Sequence, residues 1–365
     1  MVRRKGWIAL GGAVLAGVVV ILLLTSGTEP PGRRSLPGGR TRPLLVGVAE
    51  DAVKNLDPTV TKQLIDVAQR TGFDALSVSV TWLHGQRAPN PADVTLLQNT
   101  ARAARADGIR VFLVVWNGLS GGTPRSVRER AQFARFTAAI ARDVPGIRDF
   151  VIGNEPNLNT FWMPQYGPGG RDLASANYLD LLARTYDSLK AVSAQIDVIG
   201  GGLSPVGSDD PRQARQTHSP TGFLRDLGAD YRSSGRSRPI MDGLAMHPYM
   251  HAARFPPTTS HPEPDTTITI ADYDKLVGLL REAFGGTPQP GASLPIYYTE
   301  FGVQTRVPPR HARGYTNLHS IFAQDAVAAP VQAEYYKEAL QLAFCQPTVR
   351  GLFIFHVWDE PNLRG

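Results

Sequence analysis

Short apolar runs alternate with longer amphipathic segments from residue 44 to the end of the chain. The short runs are apolar throughout and rich in β-branched and aromatic residues, which is typical of strands buried on both faces. Eight strands are predicted, at residues 44–50, 75–82, 110–117, 149–155, 197–203, 243–249, 295–302 and 351–358. Helical spacing of apolar residues predicts helices at about residues 59–71, 91–107, 125–143, 172–195, 217–234, 271–285 and 331–344.

Eight strands that alternate with helices indicate a parallel sheet covered by helices on its outer face. This repeat predicts a closed (β/α)8 TIM barrel, a fold of the α/β class. The alternative is a doubly wound open sheet, but "GVAEDAVKN" after the first strand lacks the glycine-rich turn of that fold. The chain ends seven residues after Trp358, so the pattern lacks the helix expected after the eighth strand.

The N-terminal region differs in composition from the rest of the chain. Residues 7–24 are apolar and uncharged and follow Arg3, Arg4 and Lys5, which is the pattern of a signal anchor or a signal peptide. We therefore expect a signal segment at 1–25, a flexible linker at 26–43 and a (β/α)8 domain at 44–365. The domain is expected to be exported, and either anchored to the cell membrane facing outside or secreted.

Basic charge is concentrated in the same N-terminal region. Residues 1–42 carry seven basic side chains and one acidic side chain, and the remaining residues contain 31 of each, so the domain is neutral. A neutral domain argues against nucleic acid as a partner, because such binding depends on neutralising phosphates. It is compatible with an uncharged substrate. The single cysteine, Cys345, allows no intramolecular disulfide, and its apolar helical surroundings predict a buried side chain.

Two glutamates follow strands at the end of the barrel where this fold carries its chemistry. Glu155 ends the fourth predicted strand and Glu300 ends the seventh, so both can face one central cavity. Glycoside hydrolysis requires two carboxyl groups that flank one bond, about 5–5.5 Å apart when the configuration is retained. A single glutamate at a strand end would more often form an ion pair or a helix cap, but the two together indicate catalysis.

Aromatic and amide side chains are predicted near these glutamates. Flat aromatic faces bind the C–H face of a sugar ring, and four tryptophans lie at or after strand ends: Trp82, Trp116, Trp162 and Trp358. Asn117 follows the third strand beside Trp116. His247 and Tyr249 end the sixth strand and point to one side, where the tyrosine can donate to a carboxylate. No third ligand at metal-binding spacing accompanies His247 and His251, so no metal or other cofactor is expected.

These motifs resemble those of the clan A glycoside hydrolases, the retaining (β/α)8 superfamily that includes cellulases. The resemblance is carried by "NEP" at 154–156, "YYTEFG" at 297–302, "HPY" at 247–249 and Trp358. It implies that Glu155 is the acid/base and Glu300 the nucleophile. It also implies that Asn154 holds the sugar 2-hydroxyl, that Tyr249 orients Glu300 and that Trp358 forms the floor of the central subsite.

Within the clan, the form Gly-Asn-Glu-Pro-Asn is more similar to family 39 than to family 5. Family 5 members usually carry an arginine after strand two and a histidine after strand three. This chain has Thr81-Trp82 and Trp116-Asn117 at those places. The tetrapeptide Glu-Pro-Asn-Leu recurs at 360–363, in the loop after the eighth strand, and we interpret that second copy as a coincidence.

The sequence therefore predicts a retaining glycoside hydrolase that cleaves β-glycosidic bonds in oligo- or polysaccharides by double displacement. One alternative is a non-catalytic, membrane-tethered polysaccharide-binding protein on the same scaffold. Another is a metal-dependent barrel hydrolase. A monomer with a carbohydrate partner is expected.

Overall fold

The computed structural model describes residues 43–358, except for the side chains of residues 321 and 322. The predicted signal segment, all but the last residue of the predicted linker, and the second Glu-Pro-Asn-Leu copy lie outside the described residues. Within residues 43–358, no helix combines the length and the apolarity that crossing a bilayer requires.

Eight parallel strands form a closed barrel in which each strand pairs with its neighbour along the chain and β1 pairs with β8. The strands are β1 Leu45–Ala49, β2 Ala75–Thr81, β3 Arg110–Trp116, β4 Asp149–Ile152, β5 Asp197–Leu203, β6 Gly243–Met246, β7 Ile296–Phe301 and β8 Val349–Phe355. The predicted TIM barrel is confirmed, and an open sheet is excluded because β1 and β8 are not edges.

Helices connect the strands and pack on the outside of the barrel. They are α1 Pro58–Thr71, α2 Pro91–Ala106, α3 Val127–Asp143, α4 Ala174–Val192, α5 Pro220–Ser233, α6 Tyr273–Phe284, α7 Ile321–Asp325 and α8 Ala329–Cys345. Helix α7 was not predicted from the sequence, because its five residues are too few for a periodic signal. Cys345 is exposed at the end of α8, so its predicted burial is wrong. This helix buries only Ala339 and Ala343 among its described residues, and Cys345 lies outside that narrow contact face.

Aromatic side chains fill the interior of the barrel. The rings of Tyr297 and Phe353 pack against Phe112 with centroids 5.3 and 4.9 Å away. A methyl group on Gly47 would lie 2.4 Å from the Phe353 ring, so the packing requires glycine there. Because the barrel is filled, a ligand site has to be built on top of it, at the carboxyl ends of the strands.

Candidate active site

Glu155 and Glu300 lie at the carboxyl ends of β4 and β7, and both face the imidazole of His247 after β6. Oε1 of Glu155 lies 3.1 Å from Nδ1 of His247, and Oε2 of Glu300 lies 3.6 Å from the same atom. Since the two distances share one atom, these carboxylate oxygens are no more than about 6.7 Å apart. The fold thus brings together two acids that are far apart in the sequence.

The backbone of Glu155 is strained. Its φ is 40°, in a region that residues with a Cβ rarely adopt, and such conformations cost of the order of 1–3 kcal/mol. Two hydrogen bonds hold it: Glu155 N donates to the carbonyl of Gly202, and Leu158 N donates to the carbonyl of Glu155, each at 2.9 Å. The strained turn takes the chain out of the β4 ladder and carries the carboxylate to His247.

His247 and Tyr249 control the charge on Glu300. The Tyr249 hydroxyl donates to Oε2 of Glu300 at 3.1 Å, and burial together with the two carboxylates holds the pKa of Tyr249 well above its usual value. Burial raises the pKa of Glu300, as does the charge of Glu155, whereas His247 and the Tyr249 hydroxyl act to lower it. Burial alone would lower the pKa of His247, but Glu300 and Glu155 outweigh it, so that pKa is raised. The arrangement favours an imidazolium between two carboxyl groups.

A third glutamate, Glu50 after β1, was not singled out by the sequence analysis. It is 4% exposed, and its carboxylate accepts from the backbone N–H groups of Ala52 and Val357 at 3.0 Å each. Nδ1 of His356 lies 3.5 Å from Oε2 of Glu50. Burial acts to raise the pKa of Glu50, but His356 and the backbone donors outweigh it, and the pKa is lowered. Glu50 therefore anchors the segment that leads to Trp358. Its position at the end of a predicted strand was the feature of the sequence that could have identified it.

Two of the four predicted tryptophans are buried in the core. Trp82 is 0% exposed, packs against Phe133 of α3 and donates its indole N–H to the carbonyl of Gln86 at 2.9 Å. Trp162 is 1% exposed and packs edge-on against Tyr178 of α4. The prediction that these two rings contact substrate is wrong, because both pack against outer helices of the barrel.

The remaining residues that were predicted to bind substrate differ in burial and in hydrogen bonding. Asn117 is 4% exposed, and its amide donates to the carbonyl of Phe161 at 2.8 Å, so it fixes the loop after β4 rather than facing a ligand, contrary to the prediction. Asn154, Trp116 and Trp358 are half-buried. The indole N–H of Trp116 is buried and has no hydrogen-bond acceptor within residues 43–358.

Apolar side chains that the sequence analysis missed are exposed at the carboxyl ends of other strands. Leu83 after β2, Leu119 after β3 and Phe355 at the end of β8 are 59%, 63% and 39% exposed. Phe355 packs edge-on against Tyr249, with ring centroids 6.3 Å apart. We call these three side chains the apolar rim, and they lie within three residues of the tryptophans expected at the same strand ends.

Asn157, two residues after Glu155, is fully buried and ties the loop after β4 to the loop after β5. Its amide donates to the carbonyls of Ser204, Val206 and His218 at 3.2–3.3 Å and accepts from the N–H of Ser204 at 3.0 Å. These bonds fix the loop that carries Glu155. The asparagine of the Glu-Pro-Asn motif therefore stabilises this loop.

The closed barrel, with carboxyl groups at the ends of strands four and seven, is similar in fold to solved glycoside hydrolases. Among solved structures, the chain is similar to the GH39 enzyme from Xanthomonas axonopodis pv. citri, with 18% identity, 88% of this chain and 62% of that chain covered, and a TM-score of 0.51. It is also similar to a GH39 β-xylosidase from Caulobacter crescentus, with 17% identity, 88% and 64% covered, and a TM-score of 0.51.

A β-glucosidase from Thermotoga maritima in complex with deoxynojirimycin is similar at 12% identity, with 86% of this chain and 89% of that chain covered and a TM-score of 0.52. The chain spans less than two thirds of the length of the two GH39 proteins. No protein-family model and no curated protein matches the sequence. At these identities the similarity is one of fold.

Proposed function

We propose that the protein is a retaining glycoside hydrolase that cleaves β-glycosidic bonds, with Glu155 as acid/base and Glu300 as nucleophile. The observation that carries the proposal is that both carboxyl groups face the same nitrogen of His247. The limit of about 6.7 Å on their separation accommodates the spacing of about 5–5.5 Å in retaining enzymes.

The proposed reaction begins with Glu300 ionised and Glu155 protonated. Glu300 attacks the anomeric carbon while Glu155 gives its proton to the departing oxygen, so one carbon–oxygen bond forms as another breaks. The resulting ester removes the negative charge from Glu300. Glu155, now ionised, takes a proton from water, which attacks the anomeric carbon and releases Glu300. The donor Tyr249 and the charge on His247 offset part of the burial that disfavours the Glu300 anion.

The sugar would be held by the half-buried residues and by the apolar rim. Asn154 is adjacent to Glu155, as a ligand of the 2-hydroxyl has to be. Trp116 and Trp358 offer aromatic faces. The burial of Trp82 and Trp162 weakens the alternative of a non-catalytic binding protein, because that reading depended on a tryptophan platform. We also propose that the domain is exported, because residues 1–25 have the pattern of a signal segment.

The test uses aryl β-glycosides, starting with xylosides and glucosides because the similar structures include a β-xylosidase and a β-glucosidase. Wild type should hydrolyse at least one of them, and NMR should show the β-anomer as the first product. Glu300→Gln should abolish turnover. Glu155→Gln should slow substrates with poor leaving groups by about 10²–10⁴-fold, while dinitrophenyl glycosides lose far less.

A matched control is Glu282→Gln, which changes an exposed glutamate of α6 and should leave all rates unchanged. Equal losses in Glu155→Gln with good and poor leaving groups would contradict the acid role. Turnover by Glu300→Gln would overturn the nucleophile assignment. Polysaccharide binding without hydrolysis of any β-linked substrate would favour the non-catalytic alternative.

A further inference from the structure

Three potential ligand side chains, two in the loops after β4 and β5 and one in helix α5, lie together and apart from the two glutamates. They are Asp172 before α4, His218 before α5 and Asp226 within α5. One ligand atom from each residue lies within 4.8 Å of the other two. Ligand atoms bound to one ion at about 2.0–2.4 Å lie at most about 4–5 Å from one another. The three atoms are therefore close enough to share a single cation.

The surroundings of His218 fix which nitrogen faces the aspartates. Both amide hydrogens of Gln165 are used, because its Nε2 donates to the carbonyls of Pro156 and Trp162 at 3.0 and 2.8 Å. Its Oε1 is thus an acceptor, and it lies 2.7 Å from Nδ1 of His218, which must carry the proton. Tyr166 stacks on the imidazole with ring centroids 4.2 Å apart. In the neutral ring, Nε2 then carries a lone pair and no hydrogen. A hydrogen bond from the second ring nitrogen is how proteins orient histidine ligands of metals.

His218 is 1% exposed, and its Nε2 atom has no hydrogen-bond partner within residues 43–358. Oδ1 of Asp172 is 3.0 Å from this nitrogen, but it lies away from the direction in which a hydrogen on Nε2 would point. An ordinary ion pair would align these atoms. Two atoms that are close but not aligned with each other can instead both coordinate one ion between them.

The negative charge around His218 exceeds what one imidazolium can neutralise. Asp172 and Asp226 act on each other electrostatically, and Asp209 and Asp230 add further negative charge to the same region. Asp209 accepts hydrogen bonds from the hydroxyl and N–H of Ser219, and Asp230 accepts from a serine hydroxyl of α4. Asp226 has no hydrogen-bond donor among the described residues. Nearby carboxylates without matching positive charges favour a cation.

We propose that Asp172, His218 and Asp226 bind one divalent transition-metal ion, for which an imidazole and two carboxylates are a suitable ligand set. The site links the loop after β4 to helix α5. His218 is also bonded through Gln165 to the carbonyl of Pro156, next to Glu155. The ion would therefore stiffen the loop that carries Glu155 without touching the substrate. This inference goes beyond the proposed hydrolase activity and stands independently of it.

The test measures metal binding by untagged full-length protein after treatment with a chelator. Titration with Zn²⁺ should show one site per chain by calorimetry. At a hundredfold excess over Kd, the melting temperature should rise by about 4 °C, as expected for a ligand that binds only the folded state of a domain of this size. Co²⁺ in place of Zn²⁺ should give a visible d–d absorption band, which reports nitrogen and oxygen ligands without any mutation.

Two charge-matched variants of the same helix separate a ligand from a general electrostatic effect. Asp226→Asn should weaken Zn²⁺ binding by more than tenfold and remove the melting shift. Asp230→Asn, which removes an equal charge four residues away, should keep one site and most of the shift. Three results would each overturn the proposal: no saturable site in wild type, unchanged binding in Asp226→Asn, or equal weakening in both variants. A higher melting temperature of Asp226→Asn with no metal dependence in wild type would also overturn the proposal, because it would show that Asp226 is a carboxylate destabilised by burial and by its acidic neighbours.

Discussion

Removal of the Tyr249 hydroxyl is the sharpest single test of how Glu300 is prepared for attack. The hydroxyl donates to Oε2 of Glu300 at 3.1 Å, and the phenylalanine variant keeps the ring and its edge-on contact with Phe355. Hydrogen bonds to charged groups contribute about 1.5–3 kcal/mol. The bond is on the long side and the Glu300 side chain is 24% exposed, so we expect the lower part of that range. A loss of about 1.5–2 kcal/mol corresponds to roughly 10–30-fold in kcat/KM.

The pH profile gives a second and more specific readout. In the proposed reaction Glu300 must be ionised to attack, so its pKa in the free enzyme would set the acidic limb of kcat/KM. Burial has already raised that pKa, and the Tyr249 hydroxyl acts against the rise. Tyr249→Phe should therefore move the acidic limb to higher pH. The loss of activity should be largest at low pH and smaller on the plateau.

The matched control is Tyr298→Phe on β7, close to Glu300 in the chain. Its hydroxyl donates to Oε1 of Gln346 at 2.7 Å, so the substitution removes a buried hydrogen bond of similar kind away from the carboxylates. This variant should lose stability but keep the acidic limb of wild type. The reasoning is refuted if Tyr249→Phe stays within threefold of wild type with an unshifted limb. It is equally refuted if Tyr298→Phe shifts the limb as much.

Three further predictions concern stability and geometry. The raised pKa of Glu300 means that wild type loses stability as pH rises from about 4.3 through that pKa. Glu300→Gln should remove this loss and melt higher than wild type at pH 7, which thermal melts across pH 4–7 would show. The lowered pKa of Glu50 has the opposite effect on stability. The stabilisation that Glu50 contributes is present above about pH 4.3 and is lost as pH falls through its pKa in the folded state. Glu50→Gln should cost about 1.5–3 kcal/mol at neutral pH and show a flatter acid dependence in denaturant titrations, and an unchanged midpoint would contradict this. At Gly202, φ is 65° and a Cβ would lie 3.4 Å from Nε2 of His247. Gly202→Ala should cost about 1–2 kcal/mol in denaturant titrations because of the left-handed backbone, and kcat/KM should stay near that of wild type because 3.4 Å is an ordinary van der Waals contact, whereas unchanged stability would contradict the backbone argument.

The barrel could be predicted from the sequence because each strand is a short apolar run and each helix has an amphipathic period. The strand ends were less predictable. The runs continue to Glu155, Tyr249 and Trp358, but the ladders stop about three residues earlier at β4, β6 and β8. At those points the chain leaves the sheet to place side chains over the barrel. Hydrophobicity alone cannot show this, because the residues stay half-buried after the ladder ends.

The positions of the carboxylates could be predicted, but the directions of the tryptophans could not. A strand end carries its last side chains to opposite sides, and the turn that follows decides which side is the interior. Trp82 turned toward α3 for that reason. Glu50 and the Asp172–His218 pair were missed because their contacts join segments far apart in the chain. Glu50, for example, binds a backbone N–H 307 residues away, which leaves no local pattern.

The first Glu-Pro-Asn-Leu copy shows why a tetrapeptide is a poor guide to function. Each of its residues contributes through a different physical contact. Glu155 supplies the carboxylate, the carbonyl of Pro156 accepts from Gln165, and Asn157 ties two loops together. The N–H of Leu158 stabilises the strained backbone of Glu155. None of these contacts is encoded in the four letters, because the partners outside the turn are His247, Gln165 and Ser204, which lie elsewhere in the chain. A second copy acquires the same chemistry only if it meets equivalent partners, so the place in the fold, and not the repetition, identifies Glu155 as the candidate acid.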